Sequence, residues 1–446
     1  MFFAVVALLL SLSFICYLAL STTPPKKPHG IFSLPAAYTS YSSYLQMSNT
    51  ELARMRTSYA SIPHPHKKLG YAIGYPGKLN RLAEIYQKNA KVTRAIAASA
   101  ELQFPQEIAS AKSELTSQSV FGWLLPPRTR NSYATTASLV RVREALKHFI
   151  RDWSTAGDAE RKVIFTPILD VLRYLSKSTS LSTPYTSGPY KSLLIPGSGL
   201  SRLAYEASLL GYDTTACELS MYMNLAFRFL LDETTTNAVG QHEVHPYAHW
   251  FSHQRNSWRG GEDGEGEGDQ NSLTSFRGIK FPDIVPRLTD PQKTGNGGSL
   301  NLIEGDFLSL SKPTPGYDLL VTLFFIDTSP NILSTLNHIY HLLRPGGLWI
   351  NLGPLLYTSS ASYPGAGGSN LELSLDEIVR VAKMVGLDVV GYGEDGRKIG
   401  NGDVEEDLDR IPECFRPRTI PCEYTADKSA MMRWVYEAEF FVARKI

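Results

Sequence analysis

SLLIPGSGLSRLAYEASLLGYDTTACELSM, residues 192–221, is the stretch whose reading decides the fold. Leu193, Leu194 and Ile195 make a short apolar run of the kind that forms a buried strand, and it passes directly into Gly197-Ser198-Gly199. Glycines accept positive φ and let backbone amides approach a ligand closely. A helical pattern opens near Ser201, and a second strand, Thr214 to Cys217, ends at Glu218. A carboxylate roughly twenty residues beyond a glycine turn is where the two ribose hydroxyls of a nucleotide-type cofactor are received. A lone GxG is weak evidence, but strand, GxG, helix, strand and acid in that order are stronger. Ser201 and Arg202 follow Leu200, so the third glycine of the dinucleotide fingerprint is missing. An adenosyl cofactor with a sulfonium and an amino-acid tail, which has no phosphates to cradle, suits this loop at least as well. A strand-to-helix turn without a ligand is the plainer alternative.

Two further stretches repeat the rhythm. NLIEGDF, residues 301–307, reads as a strand ending in a polar turn, with Asp306 placed for an adenine amino group and Phe307 for stacking on the ring; a simple turn aspartate is the alternative. Tyr317 to Tyr357 contains a strand that opens at Asp318 and ends at Asp327, then a helix, then Arg344-Pro345-Gly346-Gly347 turning into another strand. The carboxyl end of a strand is where open α/β sheets bind ligands; Asp327 could also be the N-cap of the following helix. Short apolar runs separated by helices predict an α/β fold with a parallel sheet covered on both faces, and the order strand, helix, Arg344-Pro345-Gly346-Gly347, strand resembles that of Rossmann-like class I methyltransferases. Ala438 to Val442 is expected as a strand closing the sheet edge. Two glycine-rich stretches, 258–273 and 359–369, read as loops, the first an acidic insertion.

Residues 40–180 are helical in pattern: Leu79, Leu82, Ile85 and Tyr86 share one face, and Ile168, Leu169, Leu172 and Leu175 another. This predicts a helical extension ahead of a catalytic domain at 181–446, preceded by a Pro-rich linker at 23–39. Residues 2–20 are apolar apart from Ser11 and Ser13, about the length that crosses a bilayer. No Lys or Arg precedes the run, and Lys26 and Lys27 follow it, so a transmembrane-like anchor over 1–22 with the catalytic domain facing the cytosol is preferred. A cleaved signal ending near Ser21, giving a secreted or lumenal protein, is the alternative.

The remaining composition points to small-molecule chemistry. Net charge is +1 with no basic block, which argues against a nucleic-acid partner. The four cysteines form no CxxC pair and no zinc spacing. His242, His245, His249 and His253 are expected on a polar surface helix rather than around a metal.

PGSGLSRLAYEASLLGY, LFFIDTSPN and RPGGLWINLGPLLY, with RDWSTAGDAER at 151–161 and FPD at 281–283, resemble the corresponding blocks of the carnosine N-methyltransferase family, from about Leu139 onward. The resemblance implies transfer of a methyl group from S-adenosylmethionine to an imidazole nitrogen of carnosine, giving anserine. It implies that Gly197, Gly199, Glu218, Asp306, Phe307 and Leu323 hold the cofactor, with Arg151 and His148 closing over its methionine end. It implies that Asp327 binds the imidazole and is the catalytic residue, and that Tyr436 binds the dipeptide. Three departures stand out: His148 replaces the family's glutamine, Thr358 occupies the place of a substrate-contacting histidine, and Trp434 and Val435 replace tyrosines. The cofactor side is therefore closer to the family than the substrate side. A methyltransferase acting on histidine in a peptide or protein, and a cofactor-binding protein without activity, stay open. So does a homodimer.

Overall fold

The computed structural model describes residues 30–122, 130–177, 190–255, 275–287, 298–357, 371–398 and 411–446. The apolar segment, residues 23–29 of the Pro-rich linker, the acidic insertion, the 359–369 loop and Thr358 lie outside the described residues. Among the described residues, no helix is long and apolar enough to cross a membrane.

Among the described residues, seven helices come first: α1 (Leu34–Ser42), α2 (Tyr44–Ser61), α3 (His64–Ala72), α4 (Tyr75–Gln103), α5 (Pro105–Gly122), α6 (Arg130–Trp153) and α7 (Asp158–Lys177). Helix α1 corrects the expected extent of the linker. Pro35 stands in its first turn, where a missing N–H costs nothing, and Ala37, Tyr38 and Tyr41 are buried by packing on the helices behind. The expected face of α4 is buried at Leu79, Leu82, Ile85 and Tyr86, in a cluster of its own with Leu52, Ala248 and Phe276. Ile168, Leu169, Leu172 and Leu175 of α7 join the main core.

The sheet follows: β1 (Ser192–Pro196), α8 (Arg202–Leu209), β2 (Asp213–Glu218), α9 (Met221–Leu231), a two-stranded pair β3 (His242–Val244) and β4 (Ile279–Phe281), β5 (Ser299–Glu304), β6 (Tyr317–Leu323), α10 (Ile332–Leu342), β7 (Leu343–Gly353), α11 (Leu375–Met384), β8 (Leu387–Val389), β9 (Arg418–Cys422) and β10 (Tyr436–Lys445). The main sheet runs β5-β2-β1-β6-β7-β10-β8, with β9 also on β10. Strands β5, β2, β1, β6 and β7 are parallel, with Leu193 opposite Thr214 on one side and Leu319 on the other. Their apolar runs are buried because helices cover both faces. Chain order reverses between β1 and β6, which makes the gap above their carboxyl ends the switch point where doubly wound sheets take ligands.

The expectation that Ala438 to Val442 closes the sheet edge is corrected. Strand β10 is antiparallel and interior, with β7 along one side and β8 and β9 along the other. The histidine segment is corrected as well: His242 lies in β3 and His245 is buried, and no surface helix forms there. The expected PGG turn sits inside the start of β7, where the register against β6 slips between Tyr317 and Leu319.

Candidate active site

The glycine turn after β1 sets the site. Gly197 and Gly199 have φ of +61° and +55°, and a Cβ at Gly197 would come within 2.5 Å of the Phe325 ring. A side chain there would be strained by the backbone and would collide with the floor of the cavity. The turn packs against Glu218 at the end of β2. One carboxylate oxygen accepts the Gly199 N–H and the other the Ser220 N–H, each at 2.8 Å. Burial raises the Glu218 pKa, and these amides pull it back down. On the next strand, Asp306 accepts the Leu308 N–H at 3.0 Å and caps the single turn Phe307–Ser309. Asp306 does act as a turn aspartate, and it also lines the cavity.

These groups border one cavity of about 510 Å³ at the switch point. His148, Arg151, Gly197, Gly199, Glu218, Asp306, Phe307 and Leu323 all line it, so eight positions spread over 176 residues of sequence converge. Helix α6 supplies the far wall. Arg151 holds Asp152 through two hydrogen bonds, of 2.7 and 3.0 Å, and lies 4.7 Å over the ring of Tyr424. His148 sits between Asp152 and the Tyr424 hydroxyl, at 3.4 Å from each. Burial, and then the Arg151 charge, lowers its pKa, so the ring is neutral at pH 7. Arg202 is likewise committed, to Glu206 and Asp283. With both guanidiniums paired and the Gly199 amide given to Glu218, the turn has no ready cradle for phosphate. The cavity thus fits an adenosine whose 5′ substituent carries no phosphate better than a dinucleotide. Cys217 also lines it, but burial pushes its thiol up to about 12, which leaves no thiolate for attack. No cluster that could hold a metal occurs among the described residues.

Asp327 lies just behind the lining, between Phe325 and Thr328. It does not cap the next helix: Asn331 does so, accepting the Ser334 N–H at 3.3 Å. The Asp327 carboxylate is 5% exposed and accepts the Leu356 N–H at 3.0 Å. Burial raises its pKa to about 6, against the opposing pull of that amide. A buried carboxylate with spare lone pairs beside a cavity is suited to receive a ring N–H. Tyr436 reaches the cavity at one remove, its ring edge-on to Phe324 with centroids 5.8 Å apart. Phe324 itself is left-handed, φ +51°, a strained conformation for a bulky residue of the kind that gathers at working sites.

Sequence reading missed Phe32 and Tyr424. Phe32 precedes α1, and its carbonyl accepts the Met221 N–H, which brings the helical extension over the cavity. Tyr424 follows β9 and completes the wall with His148 and Arg151. Neither has a local pattern that would mark it, since both arrive by packing across the whole chain.

A family model described as carnosine N-methyltransferase matches residues 128–395. A carnosine N-methyltransferase of Rattus norvegicus is 31% identical over 70% of this chain, and one of Mus musculus is 30% identical over the same share. The chain spans 64% of the length of each of these mammalian relatives. One of Schizosaccharomyces pombe is 26% identical over 90% of this chain and 92% of its own length.

Proposed function

Because this chain belongs to the carnosine N-methyltransferase family, we propose that it is an enzyme transferring a methyl group from S-adenosylmethionine to an imidazole nitrogen of carnosine or a related histidine-containing small molecule. The observation that carries this reading is the buried Asp327 carboxylate beside a cavity whose other walls suit an adenosyl cofactor.

When bound, S-adenosylmethionine supplies a methyl on a sulfonium, whose C–S bond breaks as the new N–C bond forms, the electron pair staying on sulfur. Glu218 receives the ribose hydroxyls, Asp306 and Phe307 the adenine, and Gly197, Gly199, His148 and Arg151 the methionine end. The acceptor imidazole, with an unperturbed pKa near 6.5, is already largely neutral at pH 7, so no strong base is needed. What remains is tautomer choice and line of attack. Asp327 accepts the hydrogen bond of one ring N–H, which leaves the other nitrogen's lone pair free to face the methyl. It stabilises the positive charge that develops on the ring, then takes that N–H proton and passes it to water.

The test is the Asp327→Ala variant. Turnover should fall by about 10²–10³, while S-adenosylmethionine affinity, read by calorimetric titration, stays near that of the wild type. Equal loss of both would remove Asp327 from the reaction and leave it a structural carboxylate.

A further inference from the structure

A second cavity, of about 140 Å³, shares the Tyr424 wall with the first. It is framed by two segments joined by a bridge between Gln254 and Ala430 and by the Met431 N–H donating to the His253 carbonyl. Tyr247, Trp250, Tyr424, Met432 and Trp434 supply an apolar wall, and Lys147, Ser252, His253, Thr425 and Asp427 border the cavity as well. Its lining includes large apolar side chains that water reaches, Trp434 at 68% and Trp250 at 43% exposed. One polar atom is out of keeping. The Gln254 amide gives its N–H to Asp427 at 3.1 Å, but its carbonyl oxygen is buried with no hydrogen-bond partner among the described residues. A buried acceptor left unmade is costly, at about 1–3 kcal/mol, and a ligand N–H would relieve that cost.

An apolar wall beside one unpartnered acceptor describes a pocket for a side chain flanked by an amide or ammonium N–H. Size agrees, since an apolar cavity of ~150 Å³ holds a benzene ring. Carnosine has nothing to fill it: beyond its imidazole it offers only charged ends, an amide and two methylenes. Resting on the proposed methyl transfer to an imidazole, we propose that the second cavity receives the apolar residue next to the histidine of a short peptide acceptor, with a peptide N–H on the Gln254 carbonyl.

The test is binding to the full chain saturated with S-adenosylhomocysteine. Leucyl-histidine is titrated against glycyl-histidine, and β-alanyl-histidyl-leucine against β-alanyl-histidyl-glycine. In at least one pair the leucine peptide should bind about tenfold tighter or more. Gln254→Leu should lower the affinity of that peptide several-fold without moving the dissociation constant of S-adenosylhomocysteine. Equal affinities in both pairs, or no peptide binding, overturn the pocket. If the affinity difference is present but no imidazole is methylated, the pocket stands and the proposed function falls.

Discussion

The two halves of the site are built by different means. The cofactor half rests on the ends of β1, β2 and β5, where backbone amides fix the side chains: Glu218 holds two N–H groups and Asp306 one. The acceptor half is assembled from rings and segments beyond the parallel strands: Phe324 against Tyr424 and Tyr436, with centroids 4.8 and 5.8 Å apart, and Asp327 held by a single amide. A half fixed by strand ends and short turns has few ways to vary. A half fixed by side-chain packing can exchange residues while the sheet stays as it is, and the departures at Trp434 and Val435 directly precede Tyr436 in that packing. Fold and cofactor are thus tied to one another more tightly than either is tied to the acceptor.

Changes on each side should separate the two halves. The largest effect belongs to the glycine turn. Gly197→Ala forces a Cβ into the Phe325 ring on a left-handed backbone; S-adenosylmethionine affinity should drop about 100-fold, measured by calorimetric titration. Unchanged affinity would show that the turn does not touch the cofactor.

Asp327→Asn should act on stability in the opposite direction. The folded carboxyl keeps its proton up to about pH 6, whereas the unfolded one releases it near 3.8. Between those values the folded state binds more protons, so wild-type stability falls as pH rises through that window. The asparagine variant has no such slope and can still accept the Leu356 N–H. Above pH 6 it should exceed the wild type by about 2–3 kcal/mol in urea denaturation run from pH 4 to 7.5, while losing turnover. A variant that is no more stable than the wild type would mean that the carboxylate is well compensated and not held at a cost.

Smaller effects come from the shared wall. Tyr424→Phe keeps the ring over Arg151 and removes the hydroxyl that contacts His148 at 3.4 Å and also interacts with Arg151. Cofactor affinity should fall less than about tenfold, whereas Tyr424→Ala should cost about 1–2 kcal/mol more through the lost cation–π contact. His148→Gln, which restores the family's residue, should change cofactor affinity by less than about threefold. A larger loss would mean that the ring, and not merely a donor and acceptor at that place, shapes the methionine end.

The same contrast explains what was legible in the sequence. All six strands expected from apolar runs are present, because strands buried between helix layers must be apolar throughout. Glu218 could be found from its distance to the glycine turn, and Asp327 from its place in the turn that follows β6. The interior position of β10 could not, since nothing in Tyr436–Lys445 records that β8 and β9 will pair along its far side. The His242 segment was misread because spaced histidines resemble a polar helix face, while its pairing partner, Ile279–Phe281, lies beyond the acidic insertion. Tyr424 and Phe32 reach the cavity through contacts with α6 and α9, far away in sequence and without periodicity.

The central claim meets its most direct test in one measurement: purified protein incubated with S-adenosylmethionine labelled in its methyl group and with carnosine, followed by location of the label in the product. Label should appear on a ring nitrogen of the imidazole. Bound cofactor with no label in any imidazole, or no bound cofactor, would contradict it.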